Sequence, residues 1–197
     1  MGNQRLIVMA KNPVLGKVKT RLAATIGHKR ALMVYQKLLQ HTYQVCVPFA
    51  SDTIFYFTDY VETSEKWGGF KQDIQVGDKL GVRMSNAFNK AFEEGKEKVV
   101  IIGTDCIEIN SDSIDSAFKA LDDYDVVIGP AEDGGYYLLG MKKMHQAFFL
   151  NKRWSTETVF IDTIEDVKAL HLSHKNLPTL TDIDTEKDLI KFGKSLL

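Results

Sequence analysis

Cysteine is scarce in this 197-residue chain, which carries Cys46 and Cys106 and no others. Neither belongs to a Cys-x-x-Cys pair, which excludes a zinc knuckle or a thioredoxin-like motif. Two unpaired thiols suit a reducing compartment. Charge of one sign is not in excess either, with 25 basic side chains against 26 acidic ones. General binding to nucleic acid or to an anionic membrane surface is therefore not expected. No apolar run approaches the length of a bilayer span. The run Leu6–Ala10 is too short for the core of a signal peptide, and Lys11 interrupts it. Leu6 stands where a myristoylation signal needs Ser or Thr. His28, His41, His145, His171 and His174 lack metal-ligand spacing. The chain reads as a cytoplasmic protein without membrane insertion, and its length fits one domain spanning residues 1–197.

What is present is an alternation of strand-like and helix-like runs. Strands are expected over Arg5–Ala10, Asp52–Thr58, Asp73–Val76, Lys98–Gly103, Asp125–Gly129 and Tyr136–Met141. Helices are expected over Lys17–Ile26, His28–Val47, Gly81–Glu94 and Ser113–Leu121, the last capped by Ser111. A further helix is expected from Ser155 or Thr156 to Ala169, and another over Asp184–Leu196, where Thr185 and Asp188 are spaced as a capping box. A polar stretch containing Gly68 and Gly69 separates two of the strands. This order implies an α/β fold: a three-layer α/β/α sandwich with a mostly parallel, open sheet. In such sheets ligands sit beyond the carboxyl ends of the strands, at a topological switch point.

Five segments stand where chemistry is favoured. Lys11–Leu22 follows the first strand and holds Lys11, Lys17, Lys19 and Arg21 with no acid among them, bent by Pro13 and Gly16. A basic loop opening a helix is suited to phosphates; its alternative is a solvated face with scattered lysines. A Walker A loop fails at Lys11 and Val18, and no Gly-x-Gly-x-x-Gly follows the strand. Gly103-Thr104-Asp105-Cys106 ends the clearest strand, where Asp105 can ligate Mg2+ or simply cap a turn. Cys106 has no evident His partner and reads as a buried, inert thiol. In Asp133-Gly134-Gly135-Tyr136-Tyr137 the glycines permit close ligand approach or only a tight turn. Asp182 and Asp184 lie two apart and can share a face as a second acidic arm, although Asp184 can equally cap the last helix. Trp154-Ser155-Thr156 offers an aromatic beside two hydroxyls, for a sugar, for an acceptor group or as an anchor ahead of a helix.

Taken in order, Lys-x-Pro-x-x-Gly-Lys-x-Lys-Thr-Arg-Leu, Gly-Thr-Asp-Cys, Asp-Gly-Gly-Tyr-Tyr, Trp-Ser-Thr and Asp-Ile-Asp-Thr span Lys11 to Thr185. The set resembles a bacterial family of uncharacterised glycosyltransferases in the GT-A, or nucleotide-diphospho-sugar transferase, superfamily (domain of unknown function 2064). That superfamily also holds nucleotidyltransferases with similar basic loops. The resemblance implies its three-layer fold, with Asp105 as the metal-binding acid and Lys11–Arg21 wrapping the donor's phosphates. It implies a further metal contact from Asp182 or Asp184. Ile107 stands where the family usually has Pro, and a single Asp replaces the Asp-x-Asp of many GT-A glycosyltransferases.

The expected activity is a transferase dependent on Mg2+ or Mn2+ and using a nucleotide-activated donor. Lys17, Lys19, Arg21 and Asp105 are the expected catalytic residues. Lys11, Pro13, Gly16 and Thr104 join the three cations around the nucleotide's phosphates. Asp133, Gly134, Gly135, Tyr136, Trp154, Ser155 and Thr156 would line a donor or acceptor pocket; Asp105, Asp182 and Asp184 would serve the metal. The partners are a nucleoside triphosphate or nucleotide-sugar and a small acceptor, with a homodimer left open. Glycosyl transfer, nucleotidyl transfer with release of pyrophosphate, and a non-catalytic nucleotide-binding module all remain open at this point.

Overall fold

In the computed structural model, residues 2–61 and 69–192 are described. Gly68 and the end of the expected tail helix lie outside them. The chain forms β1 (Gln4–Met9), α1 (Thr20–Ile26), α2 (His28–Cys46), β2 (Thr53–Phe57), β3 (Lys71–Ile74), α3 (Leu80–Glu93) and β4 (Lys98–Ile102). It continues with α4 (Ser111–Asp123), β5 (Val126–Pro130), β6 (Tyr136–Met141), α5 (Val159–Ala169), β7 (His174–Asn176) and α6 (Glu186–Lys191).

The strands form one sheet in the order β3-β2-β1-β4-β6-β5-β7. All neighbours run parallel except β6, which is antiparallel to both β4 and β5. The reversal follows from the connection: Ala131–Gly135 is too short for a parallel crossover, which needs a dozen or more residues. Helices cover both faces. In β4, Val100 and Ile102 face one cluster, with Tyr35 and Leu39 of α2 and Ile114 and Phe118 of α4. Val99 and Ile101 face the opposite cluster, with Met84 and Phe88 of α3 and Val167 of α5. A strand buried on both sides needs the unbroken apolar run that β4 carries. A third cluster joins α1, the start of α2, Ile183 and Leu189 of α6, and so fastens the tail beside the loop that follows β1. No helix among the described residues is long and apolar enough to cross a membrane.

Three boundaries differ from the sequence expectation in ways that matter for the site. α1 begins at Thr20 rather than Lys17, because Lys19 adopts a left-handed conformation (φ 47°, ψ 46°) that ends the turn before it. Asn110, not Ser111, caps α4, its side chain accepting from the Ser113 N–H. α5 begins at Val159 rather than Ser155 or Thr156, since Ser155 is left-handed (φ 62°) and the segment ahead of the helix is held in turns. The capping box of Thr185 and Asp188 forms as its spacing predicts.

Candidate functional site

From β1 the chain steps outward to β2 and β3, then crosses back to β4 on the other side of β1. The carboxyl ends of β1 and β4 therefore flank a switch point, and both carry polar segments suited to a ligand. A cleft of about 550 Å³ opens there. Lys11, Lys19, Thr20, Arg21, Thr104 and Asp105 line its floor and one wall. Asp133, Gly135, Tyr136, Trp154, Ser155 and Thr156 line another, and Asp182 and Asp184 enter from the tail. Pro13, Gly16, Lys17 and Gly134 are not among the lining residues. Lys17 instead closes a turn with its N–H on the Val14 carbonyl, and it is exposed.

Lys19 is the electrostatic centre. Its side chain is 3% exposed; Nζ lies 2.5 Å from Asp105 Oδ1 and 3.0 Å from Asp184 Oδ1. Burial opposes its charge, but the two carboxylates outweigh that and raise its pKa. Burial likewise opposes the charge of Asp184, and Lys19 and then Arg21 overcome it, holding its carboxyl below the usual range. The guanidinium of Arg21 reaches Asp184 at 3.8 Å while remaining 63% exposed, which leaves it available to a ligand. Asp182 is compensated only in part. Burial, the neighbouring Asp105 and the further charges of Asp133 and Asp184 push it up to about 7, against the opposing pull of Lys19. The tail is positioned by backbone bonds: Ile183 N–H donates to the Asp105 carbonyl at 2.9 Å, and Asp182 bridges Cys106. Cys106 is buried and its thiol is pushed up to about 12, chiefly by burial, as an inert core thiol should be.

Two glycines shape the opposite wall. A Cβ on Gly81 would stand 2.4 Å from Trp154 Nε1, so the indole lies against the backbone at the start of α3. Gly134 (φ +87°) lets the hairpin approach the carbonyl of Glu157, and its own carbonyl accepts from Phe160 N–H at 2.9 Å. Trp154 also meets Tyr136 edge-on, with centroids 6.5 Å apart. Asp133 caps the hairpin turn by accepting from Gly135 N–H at 2.9 Å while still lining the cleft.

Several lining residues lie outside the segments that the sequence marks for chemistry: Tyr35, Thr58, Gln75, Asp78, Arg83 and Met84. The signal for four of these is the polar, Gly-rich stretch Gln75-Val-Gly-Asp-Lys-Leu-Gly-Val-Arg-Met84 after a strand. It is faint because β3 is a short edge strand with little apolar character. Gln75 donates to the carbonyls of Ala10 and Tyr56, locking the ends of β1 and β2 together, and Arg83 is held by the Gly77 carbonyl at 2.8 Å. Tyr35, in the core on α2, accepts from Lys11 N–H and donates to the Lys11 carbonyl, both at 2.8 Å, with Thr104 Oγ1 at 3.4 Å. One hydroxyl thus ties the basic loop to the end of β4. Tyr35→Phe keeps the ring and frees both Lys11 groups; stability should fall by about 1–2 kcal/mol with unchanged helix content, measured by urea denaturation followed by circular dichroism.

Comparison with known proteins agrees with this architecture. A family model described as an uncharacterised protein conserved in bacteria (DUF2064) matches residues 33–156. The crystal structure of a proposed nucleotide-diphospho-sugar transferase from Desulfovibrio desulfuricans G20 shares 31% identity at a TM-score of 0.90, covering 99% of this chain and 90% of that one. A cytidylyltransferase from Leptospira borgpetersenii serovar Hardjo-bovis superimposes at a TM-score of 0.62 with 14% identity, over 96% of this chain and 84% of its own. A CMP:2-keto-3-deoxy-manno-octonic acid synthetase solved with CTP does so at 0.59 with 11% identity, over 96% of each chain; these two show the fold alone. Among proteins of curated function, none matches the chain. The chain belongs to the DUF2064 family of bacterial proteins and carries the nucleotide-diphospho-sugar transferase fold, an enzyme fold of the transferase class.

Proposed function

We propose that this chain transfers a group from a nucleotide-activated donor to a small acceptor, and that its cleft aspartates would hold a divalent cation that assists the transfer. The observation that carries the reading is the convergence of Lys11, Lys19 and Arg21 with Asp105, Asp182 and Asp184 on one cleft at the switch point. Among the described residues, no group of three or more His, Cys, Asp or Glu side chains is arranged to hold a metal ion unaided. The carboxylates of Asp105, Asp182 and Asp184 are hard oxygen donors of the kind suited to Mg2+ or Mn2+, which take one or two carboxylates and complete their shell with substrate phosphates and water. Asp105 with Asp182 or Asp184 would hold the ion, whose contribution is to withdraw charge from the phosphate oxygens. The crowding that raises Asp182 supports this assignment, because a cation beside it would restore its charged form.

Arg21 and Lys11 are the side chains that offset negative charge gathering on the leaving phosphate, joined by Lys19 once it turns to the ligand. Trp154, Tyr136 and Val159 exclude water from the far wall. In glycosyl transfer an acceptor hydroxyl forms a bond to the sugar's anomeric carbon, and the bond from that carbon to the nucleoside diphosphate oxygen breaks. Nucleotidyl transfer is favoured by one specific feature, three cations at one end of the cleft, which suits a triphosphate. There an acceptor phosphate oxygen bonds to the α-phosphorus and pyrophosphate leaves.

A panel of nucleoside triphosphates and nucleotide-sugars, each with and without Mg2+ or Mn2+, separates the cases by thermal shift. A ligand at a hundred times its Kd stabilises by about 2.7 kcal/mol, so a metal-dependent rise in Tm of several degrees is expected for one class. A triphosphate hit indicates nucleotidyl transfer, and a nucleotide-sugar hit indicates glycosyl transfer. Binding that is indifferent to metal and yields no turnover with any acceptor indicates a module without chemistry.

A further inference from the structure

We infer that Lys19 is the chain's own occupant of the cation position between Asp105 and Asp184, and that a divalent ion enters only when a nucleotide's phosphates draw Lys19 away. The inference rests on the proposed site and goes beyond it, because it assigns an order to binding.

Nζ of Lys19 stands within hydrogen-bond distance of one oxygen from each of the two carboxylates, at 2.5 Å and 3.0 Å, and its side chain is 3% exposed. A buried ammonium needs close negative partners, and these two supply them. Those are also oxygens that a divalent ion would use, at about 2.0–2.1 Å for Mg2+. An ammonium and a dication cannot share them, since like charges so close in a part-buried site repel strongly. With Lys19 in place, the acids are already partly neutralised, and the chain alone should attract the ion weakly.

Lys19 is also built to leave. Its backbone sits in the left-handed conformation directly ahead of α1, and its side chain lines the cleft. The four-carbon stem then lets Nζ move several ångströms without backbone change. Phosphate oxygens arriving between Lys11 and Arg21 offer it new anionic partners. Asp105 and Asp184 are then released to the ion that the phosphates bring with them. The fold thereby disfavours a metal-loaded, substrate-free state.

Water-proton relaxation enhancement by Mn2+ tests this with the full chain, because it reports ions on the macromolecule with or without nucleotide. Four proteins are compared: the parent, Lys19→Met, Lys19→Gln and Lys19→Met with Asp105→Asn. Each is titrated with Mn2+ alone and with Mn2+ plus each nucleoside triphosphate and nucleotide-sugar of the thermal-shift panel. The parent should show weak enhancement with Mn2+ alone and strong enhancement with one of these nucleotides. Lys19→Met should bind Mn2+ alone at least ten-fold more tightly than the parent, and the double variant should lose that gain. Lys19→Gln, which removes the positive charge but stays polar, gives the same comparison if the Met variant does not fold. Equal Mn2+ affinity in the parent and the Lys19 variants overturns the inference; if the parent still responds to one of the nucleotides, the site itself stands. Absence of enhancement in every arm overturns both.

Discussion

Asp105→Asn should lower metal-dependent turnover by about a hundred- to a thousand-fold, the range seen when one preorganised electrostatic group is removed from a site. The substitution keeps the size and shape of the side chain and removes its charge. Its folding cost is the loss of one of the two carboxylates that face the buried Lys19 ammonium, so turnover is compared on protein whose fold is confirmed by circular dichroism. The backbone bond from Ile183 to the Asp105 carbonyl is untouched, and Lys19 retains Asp184. The loss should fall mainly on kcat, and raising the Mg2+ or Mn2+ concentration should recover part of it, since the carboxylate from the tail remains. Steady-state kinetics across a metal titration, on whichever donor the thermal-shift panel identifies, checks this. Turnover that is unchanged and indifferent to metal would remove Asp105 from the chemistry.

Gly134→Ala should be the most damaging single-atom change near the cleft. A Cβ there would stand 2.0 Å from the Glu157 carbonyl oxygen and 2.5 Å from its carbon, and backbone cannot yield as a flexible side chain can. The residue also sits at φ +87°, which an L side chain adopts at a cost of about 1–2 kcal/mol. Strain and displacement together should destabilise the protein by about 3 kcal/mol, lowering Tm by about 6–12 °C for a chain of this size. The segment from Trp154 to Val159 should move with it, since Phe160 N–H bonds to the Gly134 carbonyl. Gly16→Ala is the control. Gly16 has φ +81°, but a Cβ there would meet nothing within 4 Å, so only the backbone cost applies. Equal thermal unfolding of the two variants would contradict the close approach at Gly134.

Much of this is legible in the residues because the strongest signals are local. β4 is unmistakable as an apolar run buried on both faces, and its end therefore places Asp105. The capping box at Thr185 and Asp188 announces α6 by spacing alone. The antiparallel course of β6 is fixed by the shortness of Ala131–Gly135, a length the sequence displays but which alternation of strands and helices does not weigh. Lys19 can be marked from sequence as a phosphate cation, but not as the partner of Asp184. That pair spans 165 positions and depends on the tail folding back across the carboxyl ends of the strands. Tyr35 reads as one apolar position among several on α2. Its hydroxyl gains a role only when β1 and β4 lie side by side.

In the proposed site, cations after β1 and aspartates from β4 and the tail grip one nucleotide in one cleft. A crystal structure with the identified nucleotide and Mn2+, the ion located by its anomalous scattering, tests this most directly. Phosphates are expected between Lys11, Lys19 and Arg21, with Mn2+ on Asp105 and a carboxylate of the tail. A nucleotide bound elsewhere on the sheet, or an ion away from Asp105, would contradict it.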